Sequence, residues 1–200
     1  MVDGRFIAFE GGEGSGKTTQ CAHLAKAISG VVTREPGGTH LGRLVRSLLL
    51  DPSNHMSART EALLLGADRA QHMAEVVIPT LKKGRHVVSD RSAYSSLAYQ
   101  GYGRGLALDD LRGMNGWAMQ GHWPDLVILL DVDPVAAIGR LTREPDRIEQ
   151  ADMEFHRRVR TGYLQLAAID PGRWVVVGAT EDEATVATKI RTVVKERVGL

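Results

Sequence analysis

Short apolar runs recur along this chain, and longer helical patterns separate them. The runs are rich in residues that favour strands and predict five strands, at residues 5–10, 31–34, 86–89, 126–132 and 174–177. The run at 126–132 is continuously apolar, which is typical of a strand covered on both faces. Strands that alternate with helices predict a parallel sheet with helices on both sides.

The helical patterns predict helices at residues 18–28, 41–50, 57–83 and 181–198. Ser57 is the expected N-cap of the longest of them, Pro79 is expected to kink it, and Gly84 is expected to end it. In parallel sheets, ligands bind beyond the carboxyl ends of the strands. We therefore expect the chemistry to gather near four residues at or beside the carboxyl ends of strands: Glu10, Arg34, Asp90 and Asp131.

Composition narrows the class of protein. The chain has 200 residues, of which 43% are hydrophobic, and this is enough for one domain with a sizeable core. Its 25 basic and 24 acidic residues leave a net charge of +1, so neither a nucleic-acid polymer nor a membrane is an expected partner. The single cysteine, Cys21, excludes an internal disulfide framework and fits the cytoplasm. We interpret it as a buried helix residue.

A glycine-rich loop joins the first strand to the first helix. Its sequence, GGEGSGKT at residues 11–18, matches the full G-x-x-x-x-G-K-[ST] pattern of a phosphate-binding loop. The glycines let backbone N–H groups turn towards phosphate oxygens, and the helix N-terminus also favours an anion. Lys17 is expected to reach the β- and γ-phosphates of a nucleotide, and the Thr18 hydroxyl to complete a Mg²⁺ shell. The loop alone leaves open whether the protein is a switch, a motor or a kinase.

Charged residues beyond the loop are candidates for a second phosphate site. The Arg91 guanidinium is a planar fork that can clamp a phosphate, and Asp90 can orient it or hold water on the metal. The alternative is that these two residues form a structural ion pair. Arg46 and Arg69 lie in predicted helices, where an exposed arginine usually has no function.

A polar segment at residues 141–154 carries Arg143 and Arg147 among carboxylates. One interpretation is a solvated surface loop. In a P-loop phosphotransferase, the other is a mobile lid that closes on ATP and neutralises charge during transfer.

Five signatures, in chain order, resemble the bacterial thymidylate kinases, and the resemblance covers essentially the whole chain. They are the phosphate loop, TREPGGT at 33–39, Asp90-Arg91 with SSLAYQG at 95–101, DRIE at 146–149, and the pairs Phe155-His156 and Gly162-Tyr163. The resemblance implies a P-loop NTPase-type α/β fold: a three-layer sandwich with a five-stranded parallel sheet, helices on both faces and a short lid. It also implies a single nucleoside monophosphate kinase domain over residues 1–200.

The resemblance implies the reaction ATP + dTMP → ADP + dTDP, Mg²⁺ as cofactor, and a homodimer. An ionised phosphate oxygen of the acceptor is already a nucleophile, so no general base is expected. The implied catalytic residues are Lys17, Arg91 and the lid arginine Arg147, and the metal would be held by Thr18 and Asp90, partly through water. The implied ATP contacts are Gly11, Gly12, Glu13, Gly14, Ser15, Gly16, Lys17, Thr18, Thr19 and Arg143.

The same resemblance implies where dTMP binds. Arg46 and Arg91 match positions that contact its phosphate, and Arg69 matches an arginine that hydrogen-bonds the thymine. Glu13 and Tyr99 match positions beside the deoxyribose. The remaining implied contacts are Glu35, Pro36, Leu65, Ser96 and Gln100.

Two features depart from the family pattern. Leu65 stands where the family has an aromatic ring, usually Phe, that stacks on the thymine. The segment between Pro134 and Asp146 is slightly shorter than in some relatives, which leaves Arg140 and Arg143 without assigned counterparts. Two alternatives therefore stay open: a kinase of another small molecule, such as a different monophosphate, and a nucleotide-binding regulator that keeps the fold without turnover.

Overall fold

Five parallel strands form one sheet in the order β2-β3-β1-β4-β5. The structure, a computed structural model, describes residues 4–140 and 144–200. The strands are β1 (Phe6–Glu10), β2 (Val31–Arg34), β3 (Val87–Asp90), β4 (Leu126–Asp131) and β5 (Trp174–Gly178). All five predicted strands are confirmed, with bounds that differ from the prediction by one residue or less.

The register of the sheet brings the predicted strand ends to one edge. β1 pairs with β3 and β4, and Phe9 lies opposite Asp90 while Glu10 lies opposite Leu129. Arg34 of β2 also lies opposite Asp90. The carboxyl ends of the central strands therefore meet where the phosphate loop leaves β1, as the sequence predicts.

Helices connect the strands. The α-helices of the described residues are α1 (Lys17–Ala27), α2 (His40–Leu50), α3 (Ala58–His72), α4 (Ile78–Lys82), α5 (Ala93–Ser96), α6 (Leu108–Ala118), α7 (Pro134–Ile138), α8 (Met153–Ile169) and α9 (Glu183–Val198). The sequence analysis did not predict α5, α6 or α7; α6 contains Gly113 and Gly116, which lower helix propensity. In the described part of the chain, no helix combines the length and the apolar character needed to cross a bilayer.

The predicted helix at 57–83 is interrupted by a π-helical segment. Ser57 caps α3, because its side chain accepts a hydrogen bond from the Thr60 N–H at 3.1 Å. Pro79 has no N–H to donate one turn back, and residues Met73–Val77 just before it are π-helical. The predicted irregularity at Pro79 thus takes the form of a wider turn between α3 and α4. Gly84 has a φ of 70° and follows the last turn of α4, as predicted.

The core lies in two layers, one on each face of the sheet. On one face, α1 and α9 pack on the sheet through Cys21, Leu24 and Ile190. On the other face, α8 and the second π-helical segment, Leu97–Gly103, pack on Val127 and Leu129. The predicted three-layer sandwich is confirmed. Cys21 is buried and burial raises the pKa of its thiol, so it is a packing residue, as interpreted from the sequence.

Candidate active site

The phosphate loop lies between β1 and α1 at the carboxyl edge of the sheet. Gly14 and Gly16 have φ of 71° and 87°, a backbone region that favours glycine. A Cβ at Gly14 would also lie 2.0 Å from the Ala137 carbonyl oxygen, so a larger residue cannot follow Glu13 here. Lys17 Nζ donates to the Gly12 carbonyl at 2.7 Å. The lysine ammonium is therefore held by the loop that the glycines shape.

Thr18 and Asp90 form an oxygen pair beside the loop. Thr18 Oγ1 donates to Asp90 Oδ2 at 2.5 Å, and Arg34 approaches the same oxygen at 3.9 Å. Hydroxyl and carboxylate oxygens are ligands that Mg²⁺ accepts. Mg²⁺ commonly takes only one or two protein groups, with water and substrate phosphate oxygens in the remaining positions. The two residues predicted to hold the metal therefore fit it chemically.

Arg91 is fixed by five hydrogen bonds at the end of β3. Its two terminal nitrogens donate to Gly11 O (3.1 Å), Ser95 Oγ (3.2 Å), Tyr163 Oη (3.2 Å), Tyr99 Oη (3.1 Å) and a carboxylate oxygen of Glu13. Burial alone would raise the pKa of Glu13, but the charges of Arg91 and Lys17 lower it to about 2. Glu13 is therefore an ionised partner that keeps the Arg91 guanidinium oriented.

A buried carboxylate, Glu10, supports the same arginine. Glu10 accepts hydrogen bonds from the Ser92 N–H at 2.9 Å, from Ser95 Oγ at 2.6 Å and from Tyr163 Oη at 2.9 Å. Burial raises the pKa of Glu10, and these donors together with Arg91 partly oppose that rise. Ser95 and Tyr163 touch both Glu10 and Arg91, which is a supporting role that the sequence analysis did not assign to them.

Arg69 is the largest fully buried side chain of the described residues, at 1% exposure. Its guanidinium donates to Glu35 Oε2 (2.7 Å), Ser96 Oγ (3.2 Å), Ser92 O (3.3 Å) and Asn115 Oδ1. Burial favours a neutral Glu35, but Arg69 and His72 lower the pKa of this carboxyl overall. Among the described residues, four of the five N–H donors of Arg69 thus have protein partners, and one N–H of Nη2 has none.

The turn after β2 is held from α3. Asp68 Oδ1 accepts a hydrogen bond from the Gly37 N–H at 2.9 Å, and Arg46 donates to the Pro36 carbonyl at 3.1 Å. Asp68 Oδ2 is buried and has no hydrogen-bond partner among the described residues. Burial, with the nearby Glu35 charge, raises the pKa of Asp68 to about 6, although the Gly37 N–H and the charge of Arg69 work against the rise.

Asp68→Asn should change how stability depends on pH. The folded protein binds the Asp68 proton more tightly than the unfolded chain does, since the pKa rises from 3.8 to about 6. The wild-type free energy of unfolding therefore loses up to about 3 kcal/mol from this group as pH rises from about 4 to about 6. The variant lacks this loss. Its free energy of unfolding, relative to that of the wild type, should therefore increase over that pH range and stay constant at higher pH. Urea unfolding across this pH range measures it; a constant difference would contradict the assignment.

One cavity of about 460 Å³ gathers most of the predicted site residues. They are Glu13, Gly14, Gly16, Lys17, Thr18, Thr19, Glu35, Pro36, Arg46, Leu65, Arg69, Asp90, Arg91, Tyr99 and Gln100. Gly11, Gly12 and Ser15 line a smaller cavity behind the phosphate loop. Ser96 lines neither cavity and is instead buried against Arg69.

Arg147 does not line the cavity, in contrast to the expectation for a lid arginine. Its guanidinium donates to Glu61 Oε2 at 2.6 Å and to the Leu49 carbonyl at 2.7 Å. Arg140 does line the cavity, donates to the Ala179 carbonyl at 3.1 Å and approaches the Gly14 carbonyl at 3.5 Å. Arg143 lies outside the described residues, as does the first part of the predicted lid, so its assignment stays a prediction.

The fold and the cavity define a class of protein. A phosphate loop follows the central strand of a 2-3-1-4-5 parallel sheet, and a second group of arginines faces the loop across one cavity. This arrangement belongs to P-loop phosphotransferases that bring two phosphorylated nucleotides together.

Comparisons with known proteins identify the family. The model of the thymidylate kinase family matches residues 9–190. Thymidylate kinases from Deinococcus radiodurans and Desulforudis audaxviator are both 48% identical to this chain; they cover 98% and 94% of it, and the chain covers 99% and 89% of them. The crystal structure of thymidylate kinase from Ehrlichia chaffeensis matches with a TM-score of 0.82 and 33% identity over 96% of this chain and 99% of that one. The chain belongs to the thymidylate kinase family.

Proposed function

We propose that this chain transfers the γ-phosphate of ATP to dTMP, giving ADP and dTDP. The observation that carries the proposal is that one cavity has the phosphate loop on one side and Arg46, Arg69 and Arg91 on the other. Release of ADP should depend on dTMP. Measuring ADP with dTMP, with other nucleoside monophosphates and with none tests this, and ADP release that ignores dTMP would contradict it.

ATP binds along the phosphate loop, residues 11–19. Lys17 contacts the β- and γ-phosphates, and Arg140 and Arg143 supply charge from the chain beyond α7. Thr18 and Asp90 would hold Mg²⁺, partly through water, and the ion would neutralise phosphate charge. Support for the ATP assignment comes from the match of residues 11–18 to the full phosphate-loop pattern and from the contacts of Lys17 within that loop.

The acceptor occupies the opposite side of the cavity. Arg46 and Arg91 bind the dTMP phosphate, Tyr99 and Glu13 flank the sugar, and Arg69 meets the base. Glu35, Pro36, Leu65, Ser96 and Gln100 complete this part of the site. Because Arg91 is held by Glu13 and by neighbouring hydroxyls, its guanidinium is already oriented when the acceptor phosphate arrives, and the phosphate takes the place of some of these partners. The ionised phosphate oxygen attacks directly, so the site needs no general base.

Leu65→Phe should tighten dTMP binding about two- to tenfold. Leu65 lines the cavity one helical turn before Arg69, so its side chain faces the same way. A leucine covers the base but offers no π-face, and the missing part of the stacking is about 0.5–1.5 kcal/mol. Calorimetric titration with dTMP measures the change, and Leu65→Met is the control for an apolar swap without a ring.

Overpacking acts against that gain, because Leu65 also contacts Val45 and Leu49. A core without room loses about 1–3 kcal/mol when a side chain grows. Melting curves separate the two effects. A fully stable Leu65→Phe protein with equal or weaker dTMP affinity would show that this side chain does not stack on the base.

We propose further that the chain is a homodimer. Leu41, Leu44 and Leu48 of α2 are 44%, 54% and 51% exposed, and they share one face of the helix. Leu63 of α3, which packs beside α2, is 62% exposed. An exposed apolar face of this kind suits contact with a second copy. Light scattering should give a mass of twice 21.8 kDa, and Leu44→Glu should shift it towards the single chain.

A further inference from the structure

A buried carboxylate outside the predicted site residues is linked to the base side of the cavity. Glu61 lies in the first turn of α3 with its side chain 2% exposed. Gln100 Nε2 donates to Glu61 Oε1 at 2.8 Å, and Arg147 donates to Glu61 Oε2 at 2.6 Å. Arg104 approaches both carboxylate oxygens at 3.4 Å. Glu61 therefore accepts from one amide and two guanidinium groups.

These contacts keep Glu61 ionised. Burial alone would raise the pKa of Glu61, but the Gln100 amide and the charges of Arg104 and Arg147 bring it below its usual value. An ionised carboxylate can only accept hydrogen bonds. The Gln100 amide must therefore point its NH₂ group at Glu61. If the amide were turned round, Gln100 Oε1 would lie against a carboxylate oxygen of Glu61 with no proton between them.

Because Glu61 fixes the NH₂ group of Gln100, the amide oxygen of Gln100 is left on the side of the cavity. Gln100 is 1% exposed and lines the cavity, and its Oε1 has no hydrogen-bond partner among the described residues. A buried amide oxygen without a partner is costly, so a group that donates to it is favoured. Gln100 therefore offers its amide oxygen to the bound base as a hydrogen-bond acceptor.

We propose that Glu61, held by Arg147, orients Gln100 so that the site selects pyrimidines with an N–H at ring position 3 and rejects cytosine. This inference rests on the proposed function and adds two positioning residues to it. Thymine and uracil carry that N–H and can donate to Gln100 Oε1. Cytosine has a bare nitrogen acceptor there, which would face the amide oxygen with no proton between them.

This assignment connects Arg147 to the acceptor site indirectly, through Glu61 and Gln100. Its backbone N–H donates to the Leu50 carbonyl at 3.1 Å and its Nε to the Leu49 carbonyl at 2.7 Å, so it ties the end of α2 to Glu61. Removing it loosens Glu61 and, through Glu61, Gln100. Arg147→Ala should therefore raise the KM for dTMP and leave kcat nearly unchanged. A large fall in kcat at constant KM would identify a lid arginine and overturn this part of the proposal.

Glu61→Gln is the principal test, read by calorimetric titration with dTMP, dUMP and dCMP. The new amide can donate to Gln100 Oε1, which lets the Gln100 amide turn and present its NH₂ group to the base. We expect the preference for dTMP over dCMP to fall about tenfold or more. The preference for dTMP over dUMP should not change, because both bases carry the same N–H. A purely structural effect would weaken all three ligands alike.

Two further variants keep the result interpretable. Arg158→Met removes hydrogen bonds to the Gly103 carbonyl in the same π-helical segment without touching Glu61, and it should retain the wild-type preference. Gln100→Met should lose the preference as Glu61→Gln does, and the double variant should lose no more than either single variant. If Glu61→Gln alone folds poorly, Arg147→Ala carries the test, because it should raise the KM for dTMP at a nearly unchanged kcat.

The outcomes separate the two proposals. A folded Glu61→Gln protein that keeps the wild-type dTMP-over-dCMP preference overturns the role of Glu61, as does additive loss in the double variant. A wild-type protein that does not bind dTMP refutes the proposed function itself.

Discussion

Lys17→Met should reduce turnover by about 10²–10³-fold while the protein stays folded. The lysine is the fixed positive charge of the phosphate loop, and loss of one such contact to developing charge raises the barrier by about 2.7–4 kcal/mol. Stability should persist because Ser15 Oγ also donates to the Gly12 carbonyl, at 2.8 Å, so that oxygen keeps a partner. Burial and the nearby charge of Arg91 lower the pKa of Lys17. Replacing the lysine therefore also removes the free-energy cost of keeping a buried ammonium charged.

Steady-state kinetics with thermal melting distinguishes this result from a folding defect. Lys26→Met is the matched control, because Lys26 lies exposed in the last turn of the same helix, and its turnover should equal that of the wild type. A Lys17→Met protein with more than about a tenth of wild-type turnover would contradict the assignment of the phosphate loop.

Arg91→Met should abolish measurable transfer and also destabilise the fold. The arginine is proposed to bind the acceptor phosphate, and its loss removes a preorganised charge worth about 10³-fold or more in turnover. The same change leaves Glu13 without its main partner. Because Arg91 and Lys17 lower the pKa of Glu13 to about 2, this carboxylate stabilises the fold above about pH 4.5 and loses that effect as pH falls towards 2. The free energy of unfolding should drop by about 3 kcal/mol at neutral pH.

A double variant separates the two effects of that change. Arg91→Met with Glu13→Gln removes the stranded charge, so urea unfolding should recover most of the lost stability. Turnover should stay as low as in the single variant, since the phosphate still lacks its guanidinium. Recovery of activity together with stability would show that Arg91 acts only on the fold.

The sequence predicted features that depend on neighbours along the chain. The strands and the Ser57 cap follow from local patterns and are confirmed, and the glycine-rich loop lies between β1 and α1 as its pattern predicts. The family and the reaction followed from signatures that are also contiguous in the chain.

Contacts between residues that are far apart in the sequence could not be predicted from local patterns. Glu61 reads as an ordinary acid in the first turn of a helix, and only the fold brings Arg147 and Gln100 to it. Asp68 likewise reaches Gly37 across 31 positions. The role predicted for Arg147 was based on the DRIE motif at residues 146–149. A motif gives the position of a residue in the chain but not the direction of its side chain.

The backbone at the end of β3 has a consequence for the evolution of this chain. Arg91 has a φ of 77°, in the left-handed region, which disfavours residues with a side chain by about 1 kcal/mol or more. Glycine or asparagine would adopt this conformation with less strain. The stability expected to be lost on removing Arg91, about 3 kcal/mol, is larger than this strain, so selection for thermal stability alone would also keep the arginine. Engineering for heat resistance should leave this position untouched, because the arginine supports both the fold and the proposed activity despite its backbone strain.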